Sequence, residues 1–412
     1  MAHEQSRILI LGGGFGGLFT ALHLAGGSSE ITLVSREDHF LFTPMLYEYL
    51  SGEVEAWQIA PRYKELLDDG TRFICGEATE IDLDKQEVSI AGRTRRVGYD
   101  VLLLACGGVA SFAGVEGAAE HALPFRTIEG ADALRNRMIQ ALDRIPPDAA
   151  PQDAQRAATF VVVGAGASGV ETATKMADLL SDAFTRRGLR GESRLLILEM
   201  TNRVVPGMGE DMRRYVEETL REKHIEINTE TIVRRITASG LTFEHAGKQT
   251  EMEAAAVVWT GGVRVNPLVE SLNLEKDERG LIVVEDTLQA RGHENVFALG
   301  DIARYTNIDP HLAGTAQLAN QEAGLVAANI KAYLSGKPLQ TKHFAEIGSA
   351  VSLGTRSAAF EIGGHVIGGL SGRDARFTAY TARLPTWHHR LKVGASWFFE
   401  GTDPRPLGFN NQ

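Results

Sequence analysis

Two glycine fingerprints, far apart in the chain, restrict its fold more than any other feature. The first, Gly12-Gly13-Gly14-Phe15-Gly16-Gly17, follows the apolar run Ile8-Leu9-Ile10-Leu11. The second, Gly164-Ala165-Gly166-Ala167-Ser168-Gly169, follows Phe160-Val161-Val162-Val163. Each is a buried-strand pattern that breaks into G-x-G-x-x-G and continues as a helical pattern. In such a turn the first glycine (Gly12, Gly164) allows the tight bend. The second (Gly14, Gly166) lets backbone approach a pyrophosphate, and the third (Gly17, Gly169) lets helix pack on strand. The exposed N–H groups and the helix dipole then hold the anion. One motif is weak by itself. Two, each between a strand and a helix, predict two dinucleotides on one protein, and the usual pair is a flavin and a nicotinamide.

A chain of 412 residues is long for one core, so two or three domains are expected. The net charge of −11 argues against nucleic acid as the main partner. Two cysteines, Cys75 and Cys106, cannot make a disulfide framework, which fits a reducing compartment. The opening MAHEQSRILI lacks the regions of a secretory signal. No apolar stretch reaches the ~18–20 residues of a spanning helix. These features predict a cytoplasmic protein that does not cross a membrane, with attachment to its inner face left open. No metal site is expected.

Residues 7–34 read as strand, glycine turn, helix and the strand Ile31-Thr32-Leu33-Val34, which is one βαβ unit. Residues 158–260 repeat that theme with Leu195-Leu196-Ile197-Leu198 and Ala256-Val257-Val258-Trp259. The Pro-rich segment from Ile145 to Pro151 reads as a loop between them. A later strand, Val296 to Leu299, ends in Gly300-Asp301, and a helical pattern runs from Ala316 to Tyr333. The expected fold is α/β, with two Rossmann-like dinucleotide-binding domains, the second inserted in the first. Residues 1–125 and 280–335 form the first domain and residues 155–275 the second. Residues 336–412 form a C-terminal region with an amphipathic helix, for a membrane interface or for dimerisation.

The second strand of each unit should end near an adenosine ribose, where a carboxylate accepts from the hydroxyls and repels a 2′-phosphate. In the second unit that residue is Glu199, which favours NADH over NADPH, with Arg203 close enough to soften the preference. In the first unit Ser35, then Arg36, stands there instead. The Gly300-Asp301 pair offers a carboxylate to ribityl hydroxyls, although Asp301 also suits a plain N-cap. The small turn Ala105-Cys106-Gly107-Gly108 can pass close to a cofactor.

The order GGGFGG, YDVLLLACGG, GAGASGVETA, VVWTGGVR and NVFALGD resembles the two-dinucleotide flavoproteins that include the disulfide reductases. Within them the chain is similar to type II NAD(P)H:quinone dehydrogenases. Three stretches carry this resemblance: Phe42-Thr43-Pro44-Met45-Leu46-Tyr47, the turn Thr260-Gly261-Gly262-Val263-Arg264, and Ala316-Gln317-Leu318-Ala319-Asn320-Gln321, which matches an A-Q-x-x-x-Q quinone motif. The cyanobacterial and plastid demethylphylloquinone reductases are closer still, through PMLYEYLSGEV from Pro44 to Val54, through Leu123 to Thr127, and through the ending from Arg383.

The resemblance implies FAD at Gly12, Gly14, Phe15, Gly16, Gly17, Ser35, Arg36, Thr43, Pro44, Ala105, Gly107, Gly300, Asp301, Ala316 and Gln317. It implies NAD(P)H at Gly164, Gly166, Ser168, Gly169, Glu171, Glu199, Gly261 and Gly262. Gln317 and Gln321, one helical turn apart, are expected to hold a quinone carbonyl. Glu171 is expected to position nicotinamide or relay a proton, and lone His311 is a further relay candidate. A plain first-turn carboxylate is the alternative for Glu171.

No cysteine lies near Phe42 to Met45, nor late in the chain, so a redox disulfide is not expected and both thiols are read as buried small hydrophobes. Electrons then pass from nicotinamide to flavin to a quinone, favoured as a naphthoquinone. A soluble reductase serving a redox protein and a low-turnover scaffold stay open as alternatives. Toward the end, Leu384, Trp387, Leu391 and Phe398 are expected to share a helical stripe beside Arg390 and Lys392. Such a stripe suits a membrane surface, the flavin domain, or a second subunit in a homodimer.

Overall fold

Strand Arg7–Leu11 is apolar and buried from Ile8 onward. Burial of successive residues means that both faces of the strand are covered, the condition of a parallel sheet with helices on both sides. The computed structural model, which describes residues 5–309 and 312–408, bears this out. Arg7–Leu11 is the centre of a five-stranded parallel sheet. Its neighbours are Glu30–Ser35 and Val101–Leu104, with Thr71–Cys75 and Val296–Ala298 outside them. A second five-stranded parallel sheet is centred on Thr159–Val163. Arg194–Leu198 and Ala256–Trp259 flank it, and Glu226–Asn228 and Leu123–Pro124 form the edges. In each sheet the strand before the glycine turn pairs on opposite sides with the next strand of its βαβ unit and with a later return strand. The carboxyl end of that strand is therefore a switch point, where open parallel sheets bind ligands.

The crossing into the second sheet comes before the Pro-rich segment. Leu123–Pro124 already pairs with Ala256–Trp259, and Ala118 and Ala122 pack in the second sheet's core. A two-residue strand is too short to show a period. After helix Ile128–Asp143, Pro151 opens a short helix to Ala157 rather than closing a loop, as its fixed φ and missing N–H favour. The long helix runs Ala316–Leu334, and its cap Thr315 accepts the Leu318 N–H (3.1 Å).

The C-terminal region holds a three-stranded antiparallel sheet, Ser349–Ser352, Ala358–Ile362 and His365–Ile367. Helix Gly369–Thr381 follows and was not legible in advance. It buries Gly372, Arg376, Phe377 and Tyr380, and an arginine in the inward stripe disguises the apolar period. The final helix, Trp387–Glu400, carries Trp387, Leu391 and Phe398 of the expected stripe and leaves out Leu384. Leu384 lies before the helix and is buried, whereas Trp387 and Leu391 are exposed and Phe398 is 82% exposed. The inward face is instead His389 and Val393. The reading of both cysteines as buried fails for Cys75, which is exposed, whereas Cys106 is half-buried and packs against the core.

Candidate functional site

The two glycine turns are built alike. Gly12 has φ +106° and Gly164 has φ +103°, which glycine adopts freely. A Cβ on Gly17 would overlap the Gly12 carbonyl oxygen, and one on Gly169 would overlap the Gly164 oxygen. These third glycines let helices Phe15–Leu24 and Ala167–Arg187 start against their strands. Gly14 is different, since a Cβ there meets nothing within 4 Å. Replacing Gly17 by Ala should therefore disrupt the fold around the first turn. Gly14→Ala should fold normally, by circular dichroism and thermal melting, and lose bound flavin because the methyl group occupies the anion's place.

A cavity of about 660 Å³ lies between the turns. Gly13, Gly14, Phe15 and Gly16 of the first fingerprint line one part, and Ala167 and Ser168 of the second another. Thr43, Pro44, Tyr47, Glu171, Asp301, Ala316 and Tyr380 complete the wall. A smaller cavity of about 230 Å³ continues from it, sharing Gly13, Gly14, Ser35 and Gly107 and adding Gly12, Arg36 and Cys106. Ser35, Arg36 and Glu37 line the smaller cavity, so a carboxylate stands two residues after the position where one was expected. Gly107 has φ +62°, and Ala105 crosses close over Gly12, which explains the run of small residues there. Gly261 and Gly262 close the turn against Gly164 and Ser111. The open side of Gly14, the two adjoining cavities and the carboxylates of Glu37 and Asp301 in their walls fit an extended dinucleotide such as FAD.

Three sequence candidates are engaged by other groups of the protein. Gln317 and Gln321 do not line the cavity. Gln317 Oε1 accepts from Arg383 (3.4 Å), and Gln321 Nε2 donates to the Ala345 carbonyl (3.3 Å). The helix turns Thr315, Ala316 and Ala319 toward the cavity instead. Glu199 does not stand free. Its Oε2 accepts the Ala165 N–H and its Oε1 the Thr201 N–H, both at 2.7 Å. The carboxylate thus braces the second glycine turn from behind. His311 lies outside the described residues.

Glu171 is more enclosed than a first-turn helix carboxylate. It is 5% exposed, and Oε1 accepts the Ser352 N–H (2.8 Å) and the Arg376 guanidinium (3.2 Å). Behind it stands a buried cluster that the sequence reading missed. Arg376 donates to Glu48 (2.7 Å) and to the Pro44 carbonyl (2.6 Å). Lys175 joins Glu48 (3.2 Å) to Glu53, and Arg373 reaches Glu53 (3.1 Å). Three carboxyl groups, Glu48, Glu53 and Glu171, face three cations, Lys175, Arg373 and Arg376.

Burial raises Glu48, but Arg376 and Lys175 outweigh it and hold the carboxyl down at about 2. For Glu171 burial wins over Arg376, helped by repulsion from Glu48, and the carboxyl is pushed up to about 7. Beside it Tyr47 donates to Ser168 Oγ (2.8 Å), tying the Thr43–Ser51 segment to the second fingerprint. Glu48 and Glu53 sit inside the quoted run from Pro44 to Val54, and Glu171 and Lys175 have one-turn spacing. That spacing was the available signal, but nothing in sequence announces Arg373 or Arg376 as their partners.

Residues 6–323 match the model of the pyridine nucleotide-disulphide oxidoreductase family. A demethylphylloquinone reductase, NdbB of Synechocystis sp., is 36% identical over 99% of this chain and 98% of its own length. The type II NAD(P)H:quinone oxidoreductases are the family to which this chain belongs. The alternative NAD(P)H-ubiquinone oxidoreductase C1 of Arabidopsis thaliana is 33% identical, over 96% of this chain and 81% of that protein. The NDH2 structure from Plasmodium falciparum in complex with NADH shares the fold. It has a TM-score of 0.83 and 16% identity, and the match covers 97% of this chain and 99% of that one. This type II oxidoreductase is thus a flavoprotein enzyme that uses FAD with NAD(P)H as co-substrate.

Proposed function

We propose that this type II oxidoreductase oxidises NADH in preference to NADPH and reduces a naphthoquinone-type acceptor through FAD, without pumping protons. One observation carries the reading: a single cavity touches both glycine turns. Dinucleotides held at those turns meet where Thr43, Pro44, Tyr47 and Glu171 converge. Bound FAD supplies hydride acceptance and release of electrons. The chain supplies alignment.

In this reading the FAD-binding part is residues 1–117 and 280–335, and the nicotinamide part is residues 155–275 with the segment 118–124 that its sheet takes in. Pro44, held through its carbonyl by Arg376, fixes the flavin-side wall. Glu199 holds the Ala165 amide in place for the pyrophosphate and puts a carboxylate at the ribose, which disfavours a 2′-phosphate. Glu171 holds a proton for the acceptor. The acceptor reading is supported by the naphthoquinone activity in the name of the Synechocystis relative. It is also supported by the absence of cysteine around Thr43 to Met45, which removes a disulfide relay.

Residues 336–412 complete the proposal. Among the described residues no helix is long and apolar enough to cross a membrane. The last helix instead presents Trp387, Leu391, Phe398 and Phe399 outward, and Lys392 lies 4.7 Å from the Trp57 ring centre. Exposed aromatics beside basic groups suit an anionic lipid surface, where a lipid-soluble acceptor is found.

The test is purified enzyme assayed with NADH and with NADPH against a menaquinone analogue, a ubiquinone analogue and ferricyanide. Rapid flavin reduction with turnover of ferricyanide alone would sink the quinone reading. Sedimentation with anionic vesicles tests the surface: a Leu391→Glu, Phe398→Glu double variant should stay in the supernatant while the parent pellets.

A further inference from the structure

Glu322 is an acidic side chain on the helix Ala316–Leu334 that the proposed reaction leaves without a role. It is 1% exposed, and its Oε2 accepts the Gly300 N–H at 2.8 Å. Gly300 has φ +71° and leads directly into Asp301, whose carboxyl lines the cavity. The Glu322 bond therefore reaches the flavin site from behind, through the turn that aims Asp301.

We propose that Glu322 is a positioning residue for FAD: it holds the Gly300–Asp301 turn, and FAD binding is coupled to protonation of its carboxyl. The inference rests on the assignment of the first fingerprint to FAD. Three anionic groups converge here, namely Glu322, Asp301 and the pyrophosphate expected at Gly12 to Gly17. Burial, with repulsion from Asp301, already pushes Glu322 up to about 7, although the Gly300 N–H works against that shift. Asp301 is itself raised by burial, which Arg126 and the Gly108 backbone oppose.

The other titratable group beside Glu322 is Tyr305, whose phenol is raised by burial. His23 and Lys331 occupy the same helix–helix interface. There Lys331 Nζ donates to the His23 carbonyl (2.7 Å), and burial lowers His23.

The linkage has a definite sign. A bound diphosphate brings negative charge toward the carboxyl and raises its proton affinity further. FAD and the proton then bind together, so FAD is held more tightly below about pH 7 and more weakly above it, by up to about tenfold per pH unit for one proton. Glu322→Gln keeps an oxygen for the Gly300 N–H and mimics the protonated state.

The experiment dilutes purified holoenzyme into buffers from about pH 6 to pH 8.5 and reads released FAD by its fluorescence at equilibrium. The wild type should lose FAD several-fold more readily at the alkaline end, and E322Q should give a flat profile at the tight, acidic level. A pH profile in E322Q equal to that of the wild type overturns the proposal and assigns the titration to another group. A wild type that carries no FAD overturns this proposal and the assignment of the first fingerprint together. Should E322Q fail to fold, infrared difference spectra of the wild type on FAD release decide the matter. Loss of a neutral buried carboxyl band supports the coupling, and an unchanged carboxyl region refutes it.

Discussion

Lys175→Met should lower the stability of the folded protein by about 3–5 kcal/mol, the range for removing one partner from a buried ionic pair. Lys175 is 1% exposed and is held between Glu48 and Glu53, whose side chains are likewise enclosed. Methionine fills most of the volume, so little of the effect is a cavity. The loss comes from removing the ammonium ion that the buried carboxylates of Glu48 and Glu53 share. Arg376 and Arg373 still neutralise part of the carboxylate charge, which argues for the lower end of the range. Chemical denaturation of the two holoproteins measures the difference. A second variant isolates the cause: adding Glu53→Gln to Lys175→Met removes one of the two carboxylates that lose this partner and should recover a share of the stability. A loss below about 1 kcal/mol for Lys175→Met, or no recovery in the double variant, would show that the cluster is not electrostatically coupled.

Glu171→Gln should slow quinone reduction by about 100-fold, toward the low end of what a positioned acid contributes, while leaving reduction of the flavin by NADH nearly unchanged. The carboxyl is pushed up to about 7, principally by burial. Its proton-donating form is present below that pH and is lost as the pH rises through it. The wild-type rate of flavin reoxidation by quinone should therefore fall across neutrality. In the variant the rate should be low and insensitive to pH over the same window. Stopped-flow measurement of the two half-reactions separates the effects. If both slow equally, Glu171 acts by placing the nicotinamide and the proton comes from elsewhere.

The glycine fingerprints made much of the fold legible, because only glycine serves at Gly12 and Gly164 for the bend and at Gly17 and Gly169 for the close packing. Continuous apolar runs announced buried parallel strands for a similar reason. The edge strand Leu123–Pro124 and the helix Gly369–Thr381 were hidden, the first by brevity and the second by a buried arginine. At the site, the sequence reading put Asp301, Thr43, Pro44, Ser168 and Glu171 in positions that all line one cavity. It did not foresee that Gln317 meets Arg383 and Gln321 the Ala345 carbonyl, because one-turn spacing says that two side chains share a face but not which neighbour that face meets.

From the residues alone came the two phosphate-cradling turns and the buried strands that lead into them. Those follow from local rules, in which each residue answers to its own backbone conformation or to neighbours a few positions away. Only the tertiary structure decided that Glu48, Glu53, Glu171, Lys175, Arg373 and Arg376 form one enclosed cluster. The same is true of Glu199 bracing a turn and Glu322 reaching Gly300. Whether a carboxyl is solvated, paired or buried depends on which distant segments the fold presses against it. That environment, not the identity of the residue, fixes its protonation and therefore its chemistry.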